Sequence, residues 1–454
     1  MARADRTNGR DDGRRRAAVE ILEAVDGRQA FTGLALSAAL GRKGLSAHAR
    51  AYVTDAVYGV LRWRLTLDWM IGQCSRRPVD RMDPVIRNIL RLAAYEIRFM
   101  DGVPGPVAVH QAVELAKDLG GPGTAGFVNG VCRAIARREE AGDWPWPDSQ
   151  QAPVRALAVE TSHPEWLVAR WVERFGLKDA RRHLESNNEV PEVHLRTNTL
   201  KTSRELLAAR LREAGVYVVE GELAPEALRV RGMGRVDAQA AFQDGWFAVQ
   251  DEAAQLVARA LEPQPGQRII DLCAAPGGKT THLAQLMENR GEVVAVDVHP
   301  GKLRLVEEAA KRLGVAIVRP LAADGRELPG RLRPAARVLL DAPCSGLGVL
   351  RRRPDLRWRR RPEDIPALAA LQRELLSAAA ALTGPGGTVV YSTCSTEPEE
   401  TTGVIARFLD DNPAFTAEDP PVPGVPAGDG PGVYLFPHLH ETDGFYIARL
   451  KRIN

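Results

Sequence analysis

The sequence predicts a multidomain chain: an all-α N-terminal domain, a small α+β segment, and a C-terminal α/β domain built on a parallel sheet. Three observations carry this. Up to about residue 140 apolar residues recur at spacings of three and four. From Gln250 onward short, nearly continuous apolar runs alternate with helical stretches, and between these regions the two patterns mix. At 454 residues the chain also exceeds the size at which a single core keeps growing, so two or three domains are expected.

Taken in order, residues 1–16, "MARADRTNGRDDGRRR", read as a disordered basic tail without the apolar core of a signal peptide. Residues 17–140 read as helical in "AAVEILEAV", "AYVTDAVYGVLRWRLTLDWMI" and "PVIRNILRLAAYEIRFM". The stretch 141–153, "AGDWPWPDSQQAP", ends that pattern as a proline-rich linker. Residues 154–250 mix helices with short strands such as "EVHLRTNTL" and "GVYVVEG". In 251–454 strands "QRIIDLC", "EVVAVDV", "AIVRPLAAD", "RVLLDAPC" and "GTVVYSTC" alternate with helices "KTTHLAQLME", "KLRLVEEAAKRLG" and "DIPALAALQRELLSAAAALT". A Pro/Gly-rich loop near 419–432 precedes a last strand, "DGFYIARLKR". In such a sheet ligands bind beyond the carboxyl ends of the strands.

Composition narrows the function classes. No stretch approaches 18 consecutive apolar residues, so a cytoplasmic protein rather than a membrane-spanning one is expected. Five cysteines, an odd number without a CxxC pair, argue against a disulfide framework and a structural zinc site. His438 and His440 in "PHLH" lack a third histidine or a nearby cysteine, and no metal is expected. A net charge of +3 says little, but "RRRPDLRWRRRP", Arg351 to Pro362, gathers seven arginines around Trp358. Such a run is either a solvated face or a phosphate grip.

"DLCAAPGGKTTHL" places a glycine turn between a strand and a helix, where backbone N–H groups can receive a polar ligand. It is not a triphosphate-binding loop: Gly278, Lys279 and Thr280 fit that pattern, but its first glycine is Cys273. The G-x-G-x-x-G dinucleotide pattern is also missing, which disfavours hydride transfer. Asp297 ends the next strand, about twenty residues on, the spacing for a ribose acceptor. Asp324 and Asp341 end the following two. Singly each aspartate would be read as a helix N-cap; together they suit a cofactor with a ribose, an amine and a cationic centre, as in S-adenosylmethionine.

Three motifs then carry a resemblance. "DLCAAPGGKTTHL", "DAPCSGLGVLRRRPDLRW" and "YSTCSTEPEE" are similar to the RNA cytosine-5 methyltransferases, in particular the small-subunit rRNA methyltransferase B (Fmu/Sun) branch. "GFVNGVCRAIAR" resembles the NusB-like RNA-binding domain fused to that branch, and "VHLRTNTLK" with "FQDGWFAVQDEAAQL" the α+β segment that introduces the catalytic domain. The resemblance implies a Rossmann-like S-adenosylmethionine-dependent methyltransferase domain with six parallel strands and one antiparallel. It implies a cofactor site at Cys273, Ala274, Ala275, Pro276, Gly277, Gly278, Lys279, Asp297, Asp324 and Asp341, with Asp297 on the ribose, Asp324 on the adenine side and Asp341 near the target base. Cys132 stands where the branch usually has leucine, and the Pro/Gly-rich loop looks longer than typical.

Carbon 5 of cytosine is a poor nucleophile, so transfer to it needs covalent activation by a thiolate at carbon 6, followed by loss of the carbon 5 proton and release of the thiol. Chemistry alone leaves open whether Cys344 or Cys394 attacks. The resemblance implies Cys394 as nucleophile and Cys344 in product release, with Asp341 as the acid/base group beside the ring. Cys74 and Cys132 are read as buried, inert thiols. Arg351 to Arg353 are expected to supply positive potential to the thiolate. Arg196, Arg351, Arg352, Arg353 and Arg357, with Trp358, are the expected RNA contacts, made to an unstacked base in unassembled or partly assembled small-subunit rRNA. The alternatives are another RNA, such as tRNA, methylated by the same chemistry, or a non-catalytic RNA-binding assembly factor. The expected state is a monomer.

Overall fold

The computed structural model describes residues 13–27, 32–41, 45–426 and 430–453. Most of the expected basic tail lies outside the described residues. Its last three arginines do not belong to a tail at all: helix Arg14–Gly27 contains them, and Arg15 is buried against the Glu96 carboxylate at 2.8 Å.

The chain divides into two compact units, one of residues 1–188 with 353–359, the other of residues 189–352 with 360–454. The helical unit thus continues past the proline-rich stretch. Trp144 and Trp146 of that stretch pack on the helical core, Trp146 stacking on Trp69 at 4.7 Å, and helices Pro153–Thr161 and Glu165–Ser186 follow within the first unit.

The first unit is helical throughout its described residues, and its sequence shows why. Asp83 caps helix Pro84–Phe99 by accepting from the Val85 and Ile86 N–H groups, with Pro84 at the first helical position, where it forfeits no hydrogen bond. Ile86, Ile89, Leu90, Ala93 and Ala94 of that helix meet Val53, Val57 and Leu61 of helix Ala47–Arg62 in one core. Tyr95 packs so tightly on that second helix that a Cβ on Gly59 would fall 2.0 Å from its ring.

Among its described residues the second unit holds twelve strands in two sheets. The first four are β1 (Val193–Thr197), β2 (Tyr217–Glu220), β3 (Ala227–Arg231) and β4 (Phe247–Val249), paired antiparallel in the order β2-β3-β1-β4. The larger sheet contains β5 (Arg268–Asp271), β6 (Glu292–Asp297), β7 (Val318–Ala322), β8 (Ala335–Asp341), β9 (Thr383–Thr393), β10 (Phe415–Glu418), β11 (Val433–Leu435) and β12 (Phe445–Arg452). Its order is β10-β12-β9-β8-β5-β6-β7, with β11 paired beside β12. Strands β5 to β9 are mutually parallel, and β12 is antiparallel to both β9 and β10. Along that path β10 thus runs with the first five, giving the expected six strands one way and one the other, while β11 is an addition to that pattern.

Side-chain alternation builds a core on each face of this sheet. Ile269, Val293, Ala295, Leu339 and Val390 pack on one side, and Ile270, Val294, Val296, Val338, Leu340 and Val389 on the other. Burying each such side chain contributes about 1.5–3 kcal/mol, which explains why these strands read as continuous apolar runs. The chain leaves β5 toward β6 and β7 on one side and returns to β8 and β9 on the other, so a crevice opens beyond the carboxyl ends of β5 and β8.

Candidate active site

Four carboxylates and three thiols stand at that crevice because the strands end there in register. Asp271 closes β5 and is fully buried; its Oδ2 accepts from the Thr280 hydroxyl at 2.7 Å, while Oδ1 has no hydrogen-bond partner among the described residues. Burial pushes its carboxyl up to about 7, against the Thr280 hydrogen bond and with help from Asp341. Asp297 closes β6 and accepts from the Ala275 N–H at 3.3 Å and the His299 N–H at 2.9 Å, tying the glycine turn to the next strand. Asp324, beyond β7, is engaged by Arg326 at 2.6 Å, which holds its carboxyl below the usual range. Asp341 ends β8 between Lys279 Nζ at 2.6 Å and the Ser392 hydroxyl at 2.8 Å. A protonated Asp341 would therefore have to give up its ion pair with Lys279.

Cys273, in the turn after β5, registers all four. Burial raises its thiol first, and Asp271, Asp341, Asp297 and Asp324 each raise it further. The turn packs directly on helix Pro300–Leu313, which requires glycine: Gly277 has φ +103° and a Cβ there would fall 2.9 Å from Val306 Cα. Helix Gly278–Leu286 starts directly behind it, presenting free N–H groups. A ligand carrying a ribose and an ammonium group meets acceptors here in the half-exposed Asp297 and Asp341 carboxylates.

Cys344 and Cys394 follow the adjacent strands β8 and β9. Asp341 pairs in register with Ser392, and the last ladder bond runs from Ala342 N–H to Ser392 C=O at 2.8 Å. Beyond it the loops diverge in sequence yet bring the two sulfurs to 3.3 Å. The Cys344 thiol is held well above its usual range, first by its hydrogen bond to Cys394, then by burial, with Glu400 and Asp341 contributing. The loop 344–350 rests on Cys394: Gly348 N–H donates to the Cys394 carbonyl at 2.9 Å, and Gly444 N–H to the Gly348 carbonyl at 2.8 Å. A Cβ on Gly348 would lie 2.1 Å from the Gly444 oxygen, so "SGLG" is written for backbone contact.

The arginines expected to touch RNA mostly do something else. Arg196 is fully buried, lowered to about 9 by that burial, and donates to Gln250, to the Gly278 carbonyl at 2.6 Å and to the Thr281 hydroxyl at 3.0 Å. It braces the helix behind the glycine turn. Arg351 donates to Asp443 at 3.0 Å, and Arg352 to Asp443 and Asp251 at 2.8 Å each. Their charge is consumed by buried carboxylates, so neither supplies the positive potential expected for the thiolate. Arg357, inside the first unit, is fully buried among the carbonyls of Arg62, Ser162 and Asn187 and the side chain of Asn188, and Trp358 donates its indole N–H to the Leu61 carbonyl at 2.6 Å. Of the five arginines named as contacts only Arg353 is exposed. Arg360, of the same run, reaches the Ser345 carbonyl at 2.6 Å and the Cys344 carbonyl at 3.3 Å.

Cys132 is fully buried and its thiol pushed up to about 12, as fits an inert core residue; Cys74 is only half-buried. Among the described residues no group of three or more histidine, cysteine or carboxylate side chains is arranged to hold a metal ion. No helix among them is long and apolar enough to cross a membrane.

Comparison with known proteins agrees with this architecture. Residues 258–451 match the family described as "16S rRNA methyltransferase RsmB/F", residues 12–137 the NusB family, and residues 163–237 the ferredoxin-like domain of RsmF/B-like methyltransferases. The chain is 37% identical over 442 residues to "Probable ribosomal RNA small subunit methyltransferase B" of Bacillus subtilis, covering 96% of this chain and 98% of that protein. It is 36% identical over 417 residues to "Ribosomal RNA small subunit methyltransferase B" of Klebsiella pneumoniae, covering 89% and 91%. The solved structure of PH0851 superposes with a TM-score of 0.83 at 31% identity, covering 98% of this chain and all of that one. A helical NusB-like domain, a small ferredoxin-like domain and a Rossmann-like methyltransferase fold thus follow one another along a chain that belongs to the RsmB/F family of rRNA methyltransferases.

Proposed function

We propose that the crevice methylates carbon 5 of a cytosine in small-subunit rRNA, with S-adenosylmethionine as methyl donor and a cysteine–carbon 6 adduct as intermediate. The observation that carries the reading is the pair of thiols at 3.3 Å beside the carboxylate-lined turn. One thiol is needed to activate the ring and a second group to resolve the adduct, and methyl transfer to oxygen or to an amine would need neither.

When bound, the cofactor supplies an electrophilic methyl group on a sulfonium. The residues that would hold it are those of the turn from Cys273 to Lys279, with Asp297 on the ribose, Asp324 on the adenine side and Asp341 toward the methionine end. Cys394 is assigned the attack on carbon 6. Its sulfur joins the ring, carbon 5 takes the methyl group, and the carbon 5 proton must leave before the carbon–sulfur bond breaks. Cys344 is assigned to that release: as a thiolate it would take the carbon 5 proton, and the electrons of that bond would expel the Cys394 sulfur. Asp341, half-exposed and paired with Lys279, is assigned to orient the ring.

The reading is tested with tritiated cofactor and 16S rRNA. Cys394→Ala is expected to lower methylation by at least about a thousand-fold, and Cys344→Ala to leave rRNA attached to the protein on a denaturing gel. A stable adduct in the Cys394 variant and none in the Cys344 variant would exchange the two roles. Failure to bind S-adenosylmethionine by calorimetry would return the chain to a non-catalytic assembly role, and bisulfite sequencing of rRNA from a deletion strain identifies the cytosine.

A further inference from the structure

Beyond the ends of β8 and β9 the ladder stops, and apart from the Gly348–Cys394 backbone bond it is side chains that join the two cysteine loops, whose sulfurs meet at 3.3 Å. A buried carboxylate lies where a brace is needed. Glu400 closes the short turn Pro398–Glu400 and is fully buried. Its Oε1 accepts from the Ser345 N–H at 2.8 Å and from Gln372 Nε2 at 3.1 Å; its Oε2 accepts from the hydroxyls of Ser345 and, at 2.6 Å, Ser395. Ser345 follows Cys344 and Ser395 follows Cys394, and the two hydroxyls also meet at 3.1 Å. Gln372 extends the brace to the Pro343 carbonyl at 2.9 Å, while the Tyr391 hydroxyl fixes the Glu400 carbonyl at 2.6 Å.

A carboxylate held in a protein interior by neutral donors alone costs more than a packed apolar side chain in the same place. Capping the helix that starts at Thr402 would be the structural reason to keep it there. The donors that reach Glu400 belong instead to the two cysteine loops and to helix Asp364–Ala381.

We propose that Glu400 is the positioning residue of the thiol pair: it ties Ser345 to Ser395 and thereby sets the approach of Cys344 to Cys394. The chemical role of that approach rests on the function proposed above, but the approach itself can be measured without RNA or cofactor. Diamide oxidises two neighbouring thiols to a disulfide: the sulfurs bond, and their two hydrogens pass to the diazene, which becomes a hydrazine. In the full-length protein the Cys344–Cys394 disulfide is expected to form readily, read by peptide mass spectrometry after alkylation.

Glu400→Ala is expected to slow this at least about tenfold, since misplacement by an ångström commonly costs more than that. Glu400→Gln, which keeps an acceptor for the Ser345 N–H and a group for the hydroxyls, is expected to stay within about threefold of wild type. Thermal unfolding is followed in parallel, because a merely structural residue would change unfolding without separating these rates. Oxidation of Glu400→Ala at the wild-type rate overturns the proposal. If that variant does not fold, Ser395→Ala decides: slower oxidation supports the brace, and an unchanged rate overturns it. Persistence of methylation in Cys394→Ala would sink the proposed mechanism while leaving the brace intact.

Discussion

The arginine run at 351–360 and the strand-end crevice look equally functional as sequence, and the structure treats them in opposite ways. Charge in the run is spent: Arg351 and Arg352 end on Asp443 and Asp251, Arg357 on three backbone carbonyls and an asparagine, Arg360 on the carbonyls of a cysteine loop. Charge in the crevice is only partly engaged. Lys279 pairs with Asp341 and Arg326 with Asp324, but Asp297 accepts from backbone N–H groups alone, and Asp297 and Asp341 stay half-exposed at a turn with free helix N–H groups. A charged residue identifies a binding surface only where the fold leaves it unsatisfied, and whether it does so is decided by partners far away in sequence, such as Asp443, 92 residues from Arg351.

The comparison breaks most visibly at Arg357. If its role is structural, Arg357→Ala should destabilise the protein by about 3 kcal/mol or more, because four buried acceptors lose their donor. Arg357→Lys should recover little, since one ammonium cannot span a guanidinium's fan of acceptors. Denaturant unfolding measures both. Unchanged stability combined with weakened rRNA binding would return this residue to the RNA surface.

A pH-dependent effect tests the carboxylates at the strand ends. The Asp271 carboxyl titrates near 7 in the folded chain against 3.8 as an unperturbed group. The folded state therefore holds the proton longer, and this group's contribution to stability is greatest below pH 4, falls as pH rises from about 4 to 7, and is level above. At 1.36 kcal/mol per pH unit the whole decline amounts to roughly 4 kcal/mol at most. Asp271→Asn should remove this slope and be the more stable protein at pH 8, as urea unfolding across the pH range would reveal; an unchanged slope would mean that the carboxylate is solvated or paired.

Most of the fold was legible, and for a physical reason. A parallel strand buried on both faces must be apolar throughout, so "RIID", "EVVAVD" and "RVLLD" announced themselves, and topology alone then carried Asp297, Asp324 and Asp341 to one edge. What stayed hidden depended on long-range partners or on weak local pattern. The three-residue strands β4 and β11 are too short to establish a period. Asp271 looked like the last residue of a strand, and only full burial beside Thr280 distinguishes it. Glu400 sits in "EPEE", four residues that read as a solvated acidic turn, and nothing in the sequence shows that two cysteine loops fold over one of them.

The smallest effect sharpens the comparison at its closest point, between neighbours. Arg351 is buried on Asp443 and Arg353 is exposed, two residues apart in one run. If rRNA binding uses this run, Arg353→Ala should lower affinity severalfold at low salt and reduce the slope of log K against log salt by about one, the signature of a single lost phosphate contact. Its stability should stay within about 0.5 kcal/mol of wild type, as for surface substitutions generally. Arg351→Ala should do the reverse, costing stability while leaving the salt slope of the folded fraction intact, because its guanidinium already faces a carboxylate. Filter binding over a salt series, with unfolding curves for each variant, separates the two. If both variants shift the slope equally, the Asp443 pairing opens on RNA binding, and the distinction between spent and available charge fails for this run.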